Sequence, residues 1–300
     1  MKERILITGY SGSLAKEVVK LLENKYELFF LTTNQSKVDK KNIFFWDPNK
    51  NKIDKECLKK CQHIIHLSGY SILKRWSKKN KKIMYQSRVE AAKMIFEKCK
   101  EFSLKPKTFI SASAMGIYPE NVEGEILEES AVGSSWLSKM AIDWENAAEN
   151  FKKIKCRVVI MRISLLMDRN SGILKYNIMS TKLGLAGIIG SSNQIINWIH
   201  INDAARFIVQ ALKNKKYIGT YNLATDNPLT QKQFIQIIKN NIFKYAIVIK
   251  MPFQFLKLLA GGRSTILKFG KKKLNVERLL KLDFKYKYSS FQDIFSKANQ

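Results

Sequence analysis

Residues 5–15 read Ile5-Leu6-Ile7-Thr8-Gly9-Tyr10-Ser11-Gly12-Ser13-Leu14-Ala15. The apolar start predicts a buried strand, and the apolar spacing over 14–22 predicts a helix, so the glycines lie in the turn between them. A strand, a glycine turn and a helix in this order are typical of dinucleotide binding. Gly9 would permit the tight turn, Gly12 a close approach of a pyrophosphate, and Ala15 close packing of helix on sheet. A turn without a ligand is the alternative interpretation. Helix N-termini favour phosphate, so the predicted phosphate-binding residues are Thr8, Gly9, Ser11, Gly12, Ser13 and Leu14.

Composition narrows the class of protein. The chain has 300 residues, of which 45% are hydrophobic, enough for one large domain or two closely joined ones. No apolar run reaches the ~18–20 residues that a membrane-spanning helix needs, and the first residues resemble neither a signal nor a transit peptide. Four cysteines are too few for a disulfide framework. We therefore expect free thiols and a cytoplasmic location.

The net charge of +28 raises the question of nucleic-acid binding. Only nine of the 53 basic residues are arginine, the side chain best suited to bidentate recognition of phosphates and bases, and the lysines are spread along the chain. We therefore predict no specific nucleic-acid partner and only weak, salt-sensitive association with polyanions.

Strand-like and helix-like segments alternate along the first half of the chain. The predicted strands are Ile5–Ile7, Tyr26–Thr32, Ile43–Trp46, His63–Leu67, Thr108–Ser111 and Arg157–Arg162. The predicted helices are Ser13–Leu22, Cys57–Cys61, Lys79–Phe102 and Trp136–Phe151. Such alternation predicts an α/β fold with a Rossmann-type, doubly wound parallel sheet, whose ligand crevice lies at the carboxyl ends of the strands.

The pattern changes after Arg162. Residues 168–194 are rich in glycine, serine and asparagine, which favours loops with a short helix, whereas strand and helix patterns return over 198–211 and 220–224. We predict that 1–165 and about 196–225 form the nucleotide-binding domain. About 166–195 and 226–300 would form a smaller, interleaved C-terminal substrate lobe.

The order of the motifs resembles the extended short-chain dehydrogenase/reductase superfamily, and within it an atypical group of sugar-epimerase-like proteins. The motifs are Thr8-Gly9-x-x-Gly12-x-x-Ala15, Trp46-Asp47-Pro48, Leu67-Ser68-Gly69, Arg75-Trp76, Ser87-Arg88, the run Ser111–Tyr118, Asp143-Trp144-Glu145, Arg162, Gly187-x-x-Gly190 and Trp198-Ile199-His200-Ile201-x-Asp203. The resemblance implies NAD(P) binding, a small-molecule substrate and oxidoreductase or epimerase chemistry. It also places Leu67, Ser68, Gly69 and Ser111 beside the cofactor.

One departure from the superfamily concerns catalysis. The resemblance implies a Tyr-x-x-x-Lys pair on the helix after the fifth strand. Here Ser135 stands four residues before Lys139, and Ala141 stands four residues before Glu145. Two hypotheses follow: an oxidoreductase or epimerase with replacement groups, or a non-catalytic NADP(H)-binding or redox-sensing protein.

The replacement candidates are hydroxyl groups near the end of the fifth strand. Ser113, with Ser111, is placed to bond a substrate oxygen, or alternatively to cap the next turn. Tyr118 has a hydroxyl suited to acid/base chemistry, although aromatic packing is the alternative. Lys139 is interpreted as solvated, and His200 as structural despite its near-neutral ordinary pKa.

The remaining candidates bind the cofactor's ribose or the substrate. The segment after the second strand, Leu31–Lys37, has no acidic residue to hold a ribose 2′-hydroxyl, so it favours NADP(H) over NAD(H), with Thr33 at the phosphate. Arg88 would bind an anion, or instead join helix and loop through a salt bridge. Arg162 would orient an acidic substrate, and a loop containing Gly187 and Gln194 would cover it.

A metal site is not predicted, although Cys57-x-x-x-Cys61-x-His63-x-x-His66 suggests one on paper. Residues 63 and 66 are three apart on one strand and so point to opposite faces.

Overall fold

The structure is a computed structural model that describes residues 2–39, 41–268 and 270–296. The strands are β1 Arg4–Thr8, β2 Glu27–Thr32, β3 Ile43–Asp47, β4 Lys52–Ile53, β5 Cys61–His66, β6 Thr108–Ala114, β7 Glu123–Ile126, β8 Arg157–Ile163, β9 Leu165–Met167, β10 Leu185–Ile189, β11 Ile195–Ile196, β12 Trp198–His200, β13 Gly219–Leu223, β14 Leu229–Thr230, β15 Ile247–Met251 and β16 Lys271–Leu274. The helices are α1 Ser13–Leu22, α2 Lys78–Tyr85, α3 Ala91–Glu101, α4 Trp136–Glu149, α5 Gly172–Lys182, α6 Ile201–Lys213, α7 Gln231–Ile242, α8 Phe253–Ala260 and α9 Glu277–Leu280.

Eight strands form the central sheet, in the order β13-β8-β6-β5-β1-β2-β3-β4. All neighbours are parallel except β4, which is antiparallel to β3. The chain runs outward from β1 through β2 to β3 and then returns to β5 on the other side of β1. This reversal makes the carboxyl ends of β1 and β5 a topological switch point, where α/β proteins bind ligands. The predicted fold class is confirmed.

Helices cover the sheet in two pairs. α1 packs against α6, and α3 packs against α4. Right-handed crossovers on either side of the switch point place the two pairs on opposite faces. Since both faces are covered, the inner strands are largely buried, and Ile5, Leu6 and Ile7 of β1 are fully buried. The glycine turn is thereby attached directly to the buried core of the sheet.

Two predicted helices differ from the observed ones. In place of the helix Cys57–Cys61 there is a 3₁₀ turn, Lys55–Cys57, because the Asp54 side chain caps it by accepting the Glu56 N–H. The predicted long helix is divided: a π-helical turn, Gln86–Glu90, separates α2 from α3.

A second hydrophobic cluster lies outside the sheet. Its buried side chains come mainly from α5, β9 through β12, α7 and the last described turn, with Trp198, Phe234 and Phe291 among the largest. Three strand pairs, β10–β15, β11–β14 and β9–β12, belong to this region, and a fourth pair joins β16 to β7. The glycine- and serine-rich composition concealed β10 from sequence analysis. The division into two lobes stays a prediction, and residues 269 and 297–300 of the second lobe lie outside the described ones.

Among the residues that the structure describes, no helix combines the length and apolar character needed to cross a bilayer.

Candidate functional site

The turn between β1 and α1 has the geometry of a phosphate cradle. Gly9 has a φ of +70°, and a Cβ atom added there would lie 2.7 Å from the Leu67 carbonyl oxygen. Gly12 precedes α1 in an extended conformation and gives it no side-chain cap. The first-turn N–H groups of α1 therefore face outward beside the exposed Ser11 and Ser13, whereas Leu14 is buried in the core. An uncapped helix N-terminus of this kind is a ready anion site.

Thr8 and His66 fix this turn to the next strand. His66 Nε2 lies 3.0 Å from the Arg88 carbonyl oxygen, which can only accept, so this nitrogen carries the proton. Burial lowers the pKa of His66 to about 4, and the neutral ring accepts the Thr8 hydroxyl proton at Nδ1 (3.0 Å). The Thr8 oxygen in turn accepts the N–H groups of Leu67 and Ser68, each at 3.1 Å. The Thr8 side chain is thus a positioning group within the protein.

A first cavity, of about 490 Å³, opens beside the turn. Its lining includes the turn itself, the end of β2 and the end of β3, and the contributing residues are Gly9, Tyr10, Ser11, Leu31, Thr32, Thr33, Trp46, Asp47, Pro48, Asn49, Ser68, Tyr70, Ile83, Gln86 and Ser87. Thr33 is exposed, and the next residue, Asn34, caps a short 3₁₀ turn that ends at Lys37. Residues 33–37 therefore present hydroxyl, amide and ammonium groups and no carboxylate. Asp47, which sequence analysis did not select, is the carboxylate in this lining.

A second cavity, of about 300 Å³, lies at the carboxyl ends of β6 and β8. Apolar side chains supply most of its lining, among them Met140, Trp144 and Ile163. The basic side chains of the lining come from two parts of the chain. Arg88 lies in the π-helical turn, and Lys268 and Lys272 lie in the C-terminal region. Ser87 lines the first cavity and Arg88 the second, so both cavities border the π-helical turn.

Side chains of the π-helical turn bond to backbone acceptors of the preceding helix and of the loop after β5. The Met84 carbonyl oxygen accepts the Ser87 hydroxyl (3.0 Å) and Arg88 Nη1 (3.2 Å). Arg88 Nη1 also donates to the Tyr70 carbonyl oxygen (2.9 Å). π-Helical turns often occur at functional sites because they re-aim side chains. Here the turn directs a guanidinium toward the crevice.

Gly69 allows the Arg88 side chain to lie against the loop after β5. A Cβ atom at Gly69 would be 2.9 Å from Arg88 Cζ. The guanidinium also lies 5.4 Å from the centre of the Trp144 ring. Burial lowers the pKa of Arg88 to about 10. Among the described residues, no carboxylate forms an ion pair with it, so the helix–loop salt bridge is not formed.

Arg162 lies at the centre of a buried network. Its Nε and Nη2 atoms donate to the two carboxylate oxygens of Glu145, each at 2.8 Å, and Ser113 donates its hydroxyl proton to Glu145 Oε1 (2.6 Å). Although burial opposes the charged form, Glu145 holds the pKa of Arg162 above its usual value. The Arg162 charge is therefore neutralised within the protein. Its contact with an acidic substrate stays a prediction.

Tyr118 belongs to the same network. Its hydroxyl donates to Asn222 Oδ1 (2.6 Å) and accepts Arg162 Nη1 (2.9 Å). Burial raises the pKa of Tyr118, with Arg162 acting in the opposite direction. Both predicted catalytic hydroxyls, those of Ser113 and Tyr118, line the second cavity, yet each donates its proton to a protein acceptor.

Two polar groups of the second cavity were missed by sequence analysis. Lys272 is only 4% exposed, and its Nζ donates to the Pro119 carbonyl oxygen (2.9 Å). Burial lowers its pKa, which the Glu120 carboxylate partly offsets. The buried Trp144 Nε1 has no hydrogen-bond acceptor among the described residues. Lys272 is one of many lysines in the sequence, and only its burial on β16 distinguishes it.

Several other candidates lie away from the second cavity. Ser111 is buried and donates to the Ala112 carbonyl oxygen. Gly187 is exposed on β10, and Gln194 lines a third cavity, of about 350 Å³, beside Gly190 and Gly270. Their role as a substrate cover stays a prediction.

Lys139 and His200, which sequence analysis did not favour as catalytic groups, lie on or beside helices. Lys139 is exposed on α4. His200 caps α6 by accepting the Asn202 N–H at Nδ1, and its ring stacks on Tyr288 with ring centres 3.5 Å apart. Burial lowers the pKa of His200 to about 4.

The cysteines and histidines of residues 57–66 do not converge. His63 Nε2 lies 3.3 Å from Glu3 Oε2, whereas the His66 ring contacts Thr8 and the Arg88 backbone. Within the described ranges there is no group of three or more His, Cys, Asp or Glu side chains placed to hold a metal ion.

Comparison with known proteins adds relatives of nearly full length. Residues 5–224 match the family model described as the NAD dependent epimerase/dehydratase family. The epimerase family protein YfhF of Bacillus subtilis is 28% identical over 293 residues, which cover 96% of this chain and 95% of that protein. A chloroplastic SDR39U1 homolog of Arabidopsis thaliana is 27% identical, over 95% of this chain and 84% of its own length.

Solved structures show the same fold. The human epimerase family protein SDR39U1, crystallised with NADPH, superposes with a TM-score of 0.85 at 21% identity and covers 99% of both chains. A UDP-glucuronic acid 4-epimerase of Bacillus cereus, solved with UDP-glucuronic acid and NAD, superposes with a TM-score of 0.78 at 17% identity and covers 97% of this chain and 96% of its own. These matches confirm the resemblance predicted from the sequence.

Proposed function

Because the chain belongs to the NAD dependent epimerase/dehydratase family, we propose that it binds NADP(H) and transfers hydride to or from a small polar substrate. The observation that carries this proposal is the Gly9–Gly12 turn, where a Cβ atom at Gly9 would strike backbone and α1 begins without a cap. That turn lines the first cavity, and the π-helical turn borders both the first and the second cavity. Since dinucleotides bind across the switch point, the cofactor would extend from the first cavity into the second.

Different residues of the chain would bind different parts of the cofactor. The N–H groups of Ser13 and Leu14 would bind the pyrophosphate, with Gly9 and Gly12 giving it room. Thr33 and Lys37 would face a 2′-phosphate, and Asp47 would accept a hydrogen bond from the adenine amino group. The loop Leu67-Ser68-Gly69, held by Thr8, would form the wall beside the ribose.

We propose NADP(H) in preference to NAD(H). Leu31–Lys37, at the end of β2 and just beyond it, offers no carboxylate to hold a 2′-hydroxyl or to repel a phosphate there. The NADPH in the human SDR39U1 structure supports the same choice. Asp47 is the one carboxylate in the described lining of the first cavity, and it comes from β3, one strand further along the sheet.

In the second cavity the chain's residues would exclude water and orient the substrate. The nicotinamide, when bound, supplies or accepts the hydride. Ser113 and Tyr118 would contact the substrate through lone pairs, since their protons are already donated to Glu145 and Asn222. The substrate would be a small polar molecule, with a sugar derivative as one class. The four free cysteines fit the cytoplasmic location that we propose.

A second function is favoured by one specific observation. Ala141 and Glu145 occupy the two positions of a Tyr-x-x-x-Lys pair, Ala141 lines the second cavity, and Glu145 is paired with Arg162. A protein that binds NADP(H) as a structural or sensing ligand, without turnover, would need no acid/base group there.

A turnover experiment separates the two functions. Purified protein is mixed with NADPH and a panel of aldehydes, ketones and nucleotide sugars, and NADPH oxidation or epimer formation is followed. Turnover that falls with Ser113→Ala or Tyr118→Phe supports the enzyme, with exposed Ser289→Ala as the matched control. Saturable NADPH binding without turnover of any compound supports the sensing function.

A further inference from the structure

We propose that the second cavity binds an anionic group of the substrate, a carboxylate or a phosphate, between Arg88, Lys272 and the Trp144 indole N–H. The inference rests on the proposed function, because it names the substrate class for the same cavity. Sequence analysis predicted that Arg162 contacts an acidic substrate. That contact instead involves Arg88, Lys272 and Trp144, which sequence analysis did not group together.

The three groups are donors that lack an anionic partner. Arg88 Nη1 bonds only to the carbonyl oxygens of Tyr70 and Met84, and Lys272 Nζ bonds to that of Pro119. Trp144 is 6% exposed, and its N–H has no acceptor in the described part of the chain. All three side chains line one cavity. A ligand that satisfied them would have to bring acceptor atoms and negative charge.

Burial makes this arrangement unfavourable unless a ligand uses it. A buried cation without a counter-ion loses hydration that carbonyl oxygens only partly replace. The lowered pKa of Arg88 and of Lys272 reflects that loss. By contrast, Arg162, near the end of β8, forms a bidentate ion pair with the carboxylate of Glu145. Arg162 is therefore neutralised within the protein, whereas Arg88 and Lys272 have no ion-pair partner among the described residues.

One carboxylate lines the cavity with Lys272, that of Glu120, and it favours the charged lysine. Glu145 is not a lining residue, and its carboxylate is engaged by Arg162 and Ser113. Lys268 adds a third positive charge to the lining, although its Nζ donates to Asn121 Oδ1 (2.8 Å). The balance of charge in the cavity is positive, and its apolar walls strengthen the field at an entering anion.

The rest of the lining describes the body of the ligand. Leu137, Met140, Ile163 and Leu166 surround the polar groups. A cavity of about 300 Å³ suits a compact molecule with a short apolar portion beside its acid group. A large, fully hydroxylated ligand would leave these walls poorly matched.

The test is a titration of the NADPH-saturated protein, followed by calorimetry and by tryptophan fluorescence. The probes are butanoate, butyl phosphate and the uncharged butanamide. We expect saturable binding of at least one anion, with butanamide at least tenfold weaker. A preference for butanoate or for butyl phosphate assigns the group as carboxylate or phosphate. Equal binding of all three, or no binding of either anion up to 50 times the concentration used for NADPH, overturns the proposal.

Variants assign the effect to the named side chains. Lys272→Met and Arg88→Met are each expected to weaken the anion at least tenfold. Lys273→Met, on the exposed side of the same strand, serves as the matched control. Lys272→Met should melt at the same or a higher temperature, because it removes an unpaired buried charge. Unchanged anion affinity in Lys272→Met contradicts the proposal.

The same titrations separate this inference from the proposed function. NADPH affinity is measured first for every variant, and the anion titration is repeated without NADPH. Failure of NADPH to bind the wild-type chain refutes the proposed function alone. Normal NADPH binding with no selectivity for anions refutes the anion site alone.

Discussion

Arg162 and Glu145 form a bidentate, buried ion pair, with Nε and Nη2 each 2.8 Å from a carboxylate oxygen. The pair joins the end of β8 to the middle of α4, and Arg162 Nη1 extends it to the Glu128 carbonyl oxygen (2.5 Å). It thereby fixes the wall of the second cavity to the sheet. A carboxylate at position 145 has this structural use, whereas a lysine there would repel Arg162.

Removing one partner of this pair should destabilise the fold. Glu145→Gln leaves Arg162 charged and buried, so we expect a loss of about 3–5 kcal/mol in the free energy of unfolding, measured by urea denaturation. Glu149→Gln, on the same helix with an exposed ion pair to Lys152, should change stability by less than about 1 kcal/mol. Equal effects of the two variants would show that the buried pair has no special role.

Gly9→Ala should abolish nucleotide binding. Alanine is strained at a φ of +70°, and its Cβ would lie 2.7 Å from the Leu67 carbonyl oxygen, so we also expect about 1–3 kcal/mol of destabilisation. Gly187→Ala is the matched control, because a Cβ atom there meets nothing within 4 Å. NADPH affinity by fluorescence titration checks the prediction, which fails if Gly9→Ala binds as well as Gly187→Ala.

Acidification should weaken the fold through His66. Its pKa falls from 6.5 to about 4 in the folded state because of burial. The unfolded chain therefore binds the proton more tightly than the folded one, and stability is lost as the pH falls from about 6.5 to about 4. The slope is at most about 1.4 kcal/mol per pH unit.

The variant His66→Gln isolates this effect, since an amide can donate to the Arg88 carbonyl and accept from Thr8 without titrating. Unfolding free energies of both proteins, measured by denaturation at pH 7, 6, 5 and 4, should converge toward low pH. Parallel curves would contradict the assignment.

Thr33 should control the choice of cofactor. Thr33→Asp places a carboxylate beside the proposed 2′-phosphate, and we expect it to weaken NADPH by about tenfold or more while leaving NADH nearly unchanged. Thr33→Asn removes the hydroxyl without adding charge and is the control. The ratio of the two dissociation constants gives the answer, and an unchanged ratio in Thr33→Asp would place the phosphate elsewhere.

Periodicity made the nucleotide-binding half predictable. The strands of the central sheet are buried on both faces, so each is a short apolar run, and the glycines of the first turn are required by local backbone geometry. The apolar runs and the turn glycines both depend on residues that are close together in the sequence. The division of the long helix at Gln86–Glu90 was not predictable in this way, because it depends on the bonds that Ser87 and Arg88 make to Met84 and Tyr70.

The second cavity shows why site residues were harder to find. Arg162 was selected for its position at a strand end, but its charge is cancelled by Glu145 from another element. Lys272 carried no local signal, since it differs from Lys271 and Lys273 only by facing inward. Its burial and its hydrogen bond depend on residues far away in the chain, such as Pro119, more than 100 positions earlier.

The central claim is that the Gly9–Leu14 turn holds the pyrophosphate of NADP(H). Titration of the purified chain with NADPH and with NADH, followed by nicotinamide fluorescence, tests it most directly. We predict saturable binding of one NADPH per chain, at least about tenfold tighter than NADH. Absence of saturable binding of either nucleotide would contradict the claim.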